Sequence, residues 1–396
     1  MILNYNKNEC CGCTACYNIC PKSAISMEED IEGFLIPIID QNLCVECGEC
    51  RSVCGFKQKS INKLHNQKVY AVKRKDISKR MESQSGGAFS CIAEYFLRDN
   101  AIVYGVSMDK SLNVAYTRIN SEDELIKLKG SKYVQAIVEN IYKDVEKDLK
   151  CRQVVLFSGT PCHVDGLLHY LKAKKVDTTF LYTCDIVCHG VPSPKLFKDY
   201  IEFTEQEYNS NIINFNFRDK ILGWHGHKTS MILNISKKSI ISTNYVNIFY
   251  SHLGLRSSCY ECPYTSINRI SDFTIADFWG IERIHSEFDD NKGCSLVLLN
   301  SRKSKNIFER IKNDINYIES SIEECIQPNL KHPTDCPKER EMFWEDYHNK
   351  GFEYAIKKYC QYDINKDYTY SYGKKVRKYI NKKIHRIFNL IYKNKR

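Results

Sequence analysis

The chain has 396 residues, 43% of them apolar and 27% charged, which excludes a disordered or fibrous protein and leaves room for about two to four domains. Its formal net charge of +10 has one source: residues 373–396 carry ten Lys or Arg and no Asp or Glu, so the remainder balances at 48 basic and 48 acidic residues. A neutral body excludes the reading "basic protein, hence nucleic acid".

In chain order, "MILNYNKNEC" lacks a basic stretch followed by an apolar run and cleavage site, so no secretory signal is expected. No apolar run approaches the roughly 18 residues of a membrane span. Both points predict a cytosolic protein, where its twenty cysteines stay reduced and cluster around metal rather than pair as disulfides. Cys10, Cys13, Cys16 and Cys20, followed by Pro21, fit C-x2-C-x2-C-x3-C-P, the run that ligates [4Fe–4S] clusters. Cys44, Cys47, Cys50 and Cys54 repeat it, with Gly55 in place of the proline. In such paired runs the fourth cysteine ligates the other cluster. The expected sets are therefore Cys10, Cys13, Cys16 and Cys54, and Cys44, Cys47, Cys50 and Cys20. Zinc also uses Cys-x2-Cys pairs but has no use for a repeated three-cysteine run with a crossed fourth ligand. Cys11 is left over as a packing residue. Residues 1–60 thus read as a two-cluster ferredoxin-like module.

A polar linker over 58–68 follows. Apolar residues from Val69 to Val72 open the next domain. "SQSGGAFSCIAEYFLRD" is a glycine turn and then a helix with Phe89, Ile92, Ala93, Phe96 and Leu97 on its apolar face. Strands are predicted at 101–108 and 113–119, a capping box at Ser121 and Glu124, and an amphipathic helix at 140–150. "QVVLFSGTPCHVDGLLHYLK" reads as strand, turn and helix. "TTFLYTCDIVCHGVPSPKLF" repeats that order, its helix opened by Ser193-Pro194. This alternation indicates an α/β body. "IINFNFRD", "TSMILNIS", "DFTIADFWG" and residues 295–300 add strands, and 306–315 reads as helix. From about 340 the chain reads as aromatic-rich and helical to its end.

Five further cysteines line up locally. Cys162 opens a helix after a strand, Cys184 and Cys188 end the next strand, and Cys259 and Cys262 form Cys-x2-Cys. A helix N-terminus stabilises a thiolate, which suits a nucleophile or a metal ligand. A third cluster and a catalytic cysteine both stay open on these residues, with His163 merely adjacent in sequence. Cys91, Cys151, Cys294, Cys325, Cys336 and Cys360 are isolated and read as ordinary thiols.

"SQSGGAFS", "KGSKYVQ", "LFSGTPCHVDGL", "DIVCHGVPSP", "FRDK" and "CYECPYTSINRISDFTIADFWG" occur in this order. As an ordered set, the chain resembles the coenzyme F-420 hydrogenase/dehydrogenase beta-subunit family in its bacterial form, fused to an N-terminal ferredoxin. The likeness runs from residue 1 to about 320. It implies a mixed-sheet, flavin-binding α+β or α/β body behind the ferredoxin domain. The expected divisions are an N-terminal-like domain at 68–150, a C-terminal-like domain at 151–345, and a basic helical tail at 346–396. It also implies a third [4Fe–4S] cluster on Cys162, Cys188, Cys259 and Cys262, with Cys184 able to substitute outside the family pattern. An FAD is expected near Ser85, Gly86, Gly87, Gly130, Ser131, Lys132, Tyr133, Gly159 and Thr160. Two glycines before a helix let backbone N–H groups approach a pyrophosphate, although an ordinary helix-start turn reads the same way. Asp277 is expected to support the site or the fold.

The implied activity is oxidoreduction: electrons from an external donor such as ferredoxin reach an organic two-electron acceptor. His189 and His225 are candidate proton donors. Many bacterial relatives accompany surface-polysaccharide genes, which points to a sugar or polyprenyl-linked acceptor. An electron-carrier adaptor serving a separate catalytic partner is the competing class, and a zinc-stabilised scaffold a third. Val376, Ile380, Ile384, Ile387 and Ile391 form an apolar stripe on the basic tail, fit either to lie on an anionic membrane surface or to dock on the body.

Overall fold

A computed structural model describes residues 6–58, 67–236 and 238–370. The basic stripe at 376–391 lies outside these residues.

The N-terminal module is small. Helix Ala15–Ile19 precedes an antiparallel pair, β1 (Ile25–Glu29) and β2 (Leu35–Ile39), in which Ile25 faces Ile39. Short helices Glu49–Ser52 and Gly55–Gln58 close it. The body is built on β3 (Lys68–Arg74), β4 (Ile102–Met108), β5 (Val114–Ile119), β6 (Val155–Gly159), β7 (Leu181–Ile186), β8 (Ile212–Asn216), β9 (Thr229–Leu233), β10 (Ser239–Ser242), β11 (Phe273–Asp277), β12 (Ser295–Leu299), β13 (Ile315–Ser320) and β14 (Tyr368–Tyr370). Eight of these form one sheet, ordered β13-β3-β12-β11-β7-β6-β4-β5. Its centre is parallel: β4 pairs with β6, β6 with β7, and β7 with β11. Strands β5, β12, β3 and β13 join by antiparallel pairing.

Strands β6 and β12 read as largely apolar runs, as strands covered on both faces do. All five residues of β6 and of β12 are buried. Side chains alternate between the two cores. Leu156 joins the core under helices Ala88–Arg98 and Arg302–Ile311, while Val155 and Phe157 join the one under Ile141–Lys150 and Pro161–Ala173. A second, antiparallel sheet, ordered β14-β10-β9-β8, packs with helices Pro194–Tyr208, Arg340–Lys350 and Phe352–Tyr359.

Several sequence expectations need correction. No capping box forms at Ser121. The segment Glu122–Lys127 is a 3-10 helix without a side-chain cap, and Glu124 instead accepts from the Asn120 N–H and pairs with Lys127. The helix expected at 306–315 ends at Ile311, and Ile315 begins an edge strand, β13. The strand expected in "DFTIADFWG" forms as β11, which pairs antiparallel with β12 but parallel with β7. The region from 340 is not helical throughout, because residues 368–370 add a strand to β10. Phe343, Trp344, Tyr347, Ala355 and Ile356 are buried in the same core as Phe215 and Met231, so this stretch is part of the body. No helix among the described residues is long and apolar enough to cross a membrane.

Candidate functional site

The parallel strands β4, β6, β7 and β11 end at one edge of the sheet, where α/β proteins place their sites. Two of the cysteine-bearing segments leave from there. After β6, Thr160 holds the N-cap position of helix Pro161–Ala173 and Pro161 occupies its first turn, so Cys162 sits in that turn at the positive end of the helix. After β7, the Val187 N–H bonds the Ile275 carbonyl and the chain turns through Cys188. That loop is paired to the third segment: the Arg256 N–H donates to the Val191 carbonyl, and Pro192 bridges Leu255. The 3-10 helix Ser257–Glu261 then presents Cys259, and Cys262 caps it.

Cys162, Cys188, Cys259 and Cys262 therefore line one pocket, together with Cys11, Phe56, Thr160, His163, His189 and Thr265. Burial pushes the Cys259 thiol up to about 11 and raises Cys188 and Cys262 further. Cys162 alone is lowered, by the Cys11 thiol first, then by the Thr160 hydroxyl and the His163 N–H. Four sulfurs gathered in a buried pocket are costly as bare thiolates, and a cationic cluster offsets that cost. The donor set fits a [4Fe–4S] cluster. Among the described residues no three His, Cys, Asp or Glu side chains come together as ligands of a single metal ion would.

Cys184, the substitute ligand of the sequence reading, is not in this pocket. It is fully buried in β7 and faces the apolar core beside Leu156, Phe273 and Val297. The two-residue period of the strand fixes that direction.

The ferredoxin sets fall as the crossed pairing requires. Cys20, Cys44, Cys47 and Cys50 line one pocket at the outer end of the module. Cys16 is crowded by Cys13, Cys10 and Cys54, whose charge adds to burial in pushing its thiol up. This inner set rests on the body. Gly166 in helix Pro161–Ala173 leaves space for the Cys13 sulfur, which would lie 2.9 Å from an added Cβ. Cys11 is buried and packs with both Cys13 and Cys162, joining the inner ferredoxin set to the third pocket. Gly55, the departure from proline, packs so tightly that an added Cβ would lie 1.8 Å from the Asp165 carboxylate.

Two residues missed in the sequence hold the junction together. Arg269 donates to the Tyr264 carbonyl at 2.7 Å and the Ile186 carbonyl at 3.1 Å, tying the segment after Cys262 to the end of β7. Its buried guanidinium lies 3.0 Å from Asp185. Arg256 reaches the ferredoxin module itself. Arg269 lies within a quoted motif and Arg256 just before it, but the roles of both are revealed only by the folded contacts.

The expected flavin residues fall into three groups. Thr160 lines the cysteine pocket, its hydroxyl 3.3 Å from the Cys162 sulfur, while Gly159 ends β6 where a Cβ would strike the Tyr116 hydroxyl at 1.9 Å. Ser85, Gly86 and Gly87 are built into the sheet edge. The Ser85 hydroxyl donates to the Cys294 carbonyl, and a Cβ at Gly86 would sit 2.1 Å from the Val72 carbonyl. Packing thus accounts for Gly86, while Gly87 adopts the left-handed φ that opens helix Ala88–Arg98. Gly130–Tyr133 form a neighbouring loop. Gly130 faces open space, Lys132 donates to the carbonyls of Lys127 and Lys129, and the Tyr133 ring stacks on Phe249 at 4.5 Å. Gln84, unassigned from sequence, links the last two groups: its Oε1 accepts from the Ser131 N–H at 3.5 Å, while its buried Nε2 finds no acceptor. An orphaned donor beside an open glycine and a lysine fits a phosphate-bearing cofactor.

His189 stands in the cysteine pocket wall, its Nε2 2.6 Å from that of His252. Burial and the neighbouring imidazole lower it to about 4. His225 is exposed, pairs with Asp289 at 2.7 Å, and is not among the residues lining the pocket. Asp277 serves the fold: it pairs with Arg218 and accepts from the Trp224 indole at 2.8 Å.

Ferredoxin-type cysteine sets on a mixed α/β body define an iron–sulfur redox protein. A 4Fe-4S dicluster domain matches residues 9–57. The N-terminal part of the coenzyme F420 hydrogenase/dehydrogenase beta subunit matches 69–142, and its C-terminal part matches 152–324. The chain belongs to this beta-subunit family. It is 27% identical over 168 residues to a coenzyme F420-dependent sulfite reductase of Methanocaldococcus jannaschii, a match covering 40% of this chain and 24% of that protein. An uncharacterized protein of the same organism is 25% identical over 343 residues, covering 77% of this chain and 87% of its own. A chain of the F420-reducing [NiFe] hydrogenase complex from Methanosarcina barkeri aligns at TM-score 0.47 and 14% identity, over 77% of this chain and 96% of its own.

Proposed function

We propose that the chain is a three-cluster flavoprotein oxidoreductase linking a one-electron donor, such as a ferredoxin, to an organic two-electron acceptor. Two [4Fe–4S] clusters belong to the N-terminal module, and Cys162, Cys188, Cys259 and Cys262 hold the third. The observation that carries this reading is the shared pocket itself. Three segments distant in sequence bring four cysteines together, and Cys11 in the pocket wall touches Cys13 of the inner ferredoxin set.

FAD completes the proposal, with Gln84, the Gly130–Tyr133 loop and Lys132 as its holding residues. A bound flavin exchanges one or two electrons, which matches one-electron clusters to a two-electron acceptor. Of the two candidate proton donors, His189 is the one that lines the pocket. A sugar or polyprenyl-linked acceptor rests on the family resemblance alone, and the tail's membrane contact on its basic, apolar-striped sequence.

Anaerobic purification with iron, sulfide and heat-released flavin assays tests the reading. Three cubanes predict about twelve irons per chain together with one FAD. About eight irons without flavin would leave a two-cluster carrier and overturn the assignment of the third set.

A further inference from the structure

Arg256 is nearly excluded from solvent, at 2% exposure, and engages every guanidinium nitrogen at the junction. Its Nε donates to the Cys10 carbonyl at 2.6 Å and its Nη1 to the Gln135 side chain at 2.9 Å. Gln135 in turn donates to the Cys11 carbonyl at 3.1 Å. The remaining nitrogen, Nη2, donates to the Leu35 carbonyl at 3.0 Å and to the Cys10 sulfur at 3.4 Å. The plane lies 5.3 Å from the Phe34 ring, within cation–π range. The glycine between Cys11 and Cys13 is required here, because a Cβ on Gly12 would meet Gln135 at 2.4 Å and Arg256 at 2.9 Å.

Position makes this more than a clamp. A buried guanidinium stays charged, and this one points a donor at a sulfur of the inner ferredoxin set. Hydrogen bonds to cluster sulfurs and nearby positive charge both favour the more negative, reduced cluster, and so raise its reduction potential. The outer set lies at the far end of the module, in a pocket lined by residues 20–50 alone, away from this guanidinium. Arg340 makes an informative contrast. It also pins the ferredoxin module to the body, through Glu32 and the Leu255 carbonyl, yet its contacts are to oxygens.

We propose that Arg256 is a positioning residue that sets the potential of the inner ferredoxin cluster above the value its cysteines alone would give. Reducing equivalents are thereby held beside the third pocket. The inference rests on the cluster assignment of the proposed function, and iron and sulfide counts on the wild-type protein test that assignment separately.

The experiment is an anaerobic redox titration of full-length protein followed by electron paramagnetic resonance. The inner signal is identified by its loss in Cys13→Ala. Arg256→Lys keeps the charge and loses the fork, Arg256→Gln loses both, and Arg340→Lys loosens docking without touching sulfur. Arg256→Gln is expected to lower the inner potential so that the reduced-to-oxidised ratio at a fixed potential falls about tenfold, or about 59 mV for a one-electron couple. Arg256→Lys should give a smaller shift of the same sign, with the outer cluster and Arg340→Lys unmoved. An unchanged inner potential in both Arg256 variants would overturn the proposal, as would an equal shift in Arg340→Lys. Loss of the inner cluster's iron from Arg256→Lys would also overturn it, because Arg256 would then be holding the cluster rather than tuning it.

Discussion

The two ends of the ferredoxin module are built from the same cysteine run and treated differently by the rest of the chain. At the outer end, Cys47 is exposed and Leu43 and Val45 are about half exposed, while the pocket is lined wholly by residues 20–50. At the inner end, Cys11, Gln135 and Arg256 are buried, and the contacts span more than a hundred residues of sequence. The outer site is a local object. The inner site is half of an interface, and its partner is the third cysteine pocket. Identical ligand spacing therefore does not imply identical surroundings, and surroundings are what a protein uses to differentiate two clusters of one type.

Exchanging fourth ligands tests this division most severely. Cys54→Ala is expected to remove the inner cluster and Cys20→Ala the outer one, each lowering the iron content by about four per chain. The two losses should differ in reach. On the proposed function, loss of the inner cluster should stop electrons from an external donor reaching the proposed third cluster and flavin, because the inner set lies between the outer set and the third pocket. Without the outer cluster, chemical reduction by a small dithionite-like donor should still reach them. Rapid-mixing spectroscopy reads both. Equal behaviour of the two variants would erase the distinction between ends.

A smaller effect separates the ends by packing. Gly12 and Gly48 both take left-handed φ, +69° and +76°. A side chain there costs about 1–2 kcal/mol from backbone strain alone. Gly48 has nothing within 4 Å of an added Cβ, whereas Gly12 meets Gln135 and Arg256. Gly48→Ala should therefore cost only the strain, and Gly12→Ala an additional ~1–3 kcal/mol of overpacking. Apparent unfolding midpoints under anaerobic conditions measure the difference. Similar midpoints for both variants would mean that the junction yields easily.

This contrast also marks what the sequence could and could not show. Ligand spacing is local, so the eight ferredoxin cysteines and their crossed grouping were legible in it. The strand–turn–helix units around Cys162 and Ser193 were legible too, because apolar runs, Pro and Ser act over a few residues. Two readings turn on distant neighbours. Cys184 looked like a candidate ligand until the strand direction set it in the core. Gly86 and Gly87 read as a cofactor turn, and the structure adds a packing reason for Gly86, which lies against the Val72 carbonyl and Ser295. In both cases the deciding neighbour is far away in sequence. The roles of Arg256, Arg269 and Gln135 stayed hidden for the same reason, although the last two lie in quoted motifs: each acts on backbone or side-chain atoms contributed by another segment. Edge strands β13 and β14 carry too little apolar alternation to stand out before their partners are known.

The gentlest test concerns Asp165, which lies on helix Pro161–Ala173 under Gly55. Its carboxylate accepts from the Tyr264 hydroxyl at 2.7 Å and sits 3.7 Å from His169. Burial raises its pKa, and the Tyr264 bond and His169 offset part of that rise. A raised carboxyl keeps its proton in the folded chain at pH values where the unfolded chain has released it. The folded state then binds more protons, so stability falls as pH climbs from the ordinary carboxylate range through the raised value. Asp165→Asn removes this titration while keeping an acceptor for Tyr264. Wild type should lose stability across that window, and the variant should stay flat, so that the gap between them widens toward neutral pH. Tightening of the junction at lower pH would follow, with slower hydrogen exchange of the Phe56 and Tyr264 amides in wild type only. The outer end, where no buried carboxylate of this kind lines the pocket among the described residues, should show no such dependence. Parallel pH profiles for wild type and Asp165→Asn would show that the Tyr264 bond and His169 together cancel the effect of burial.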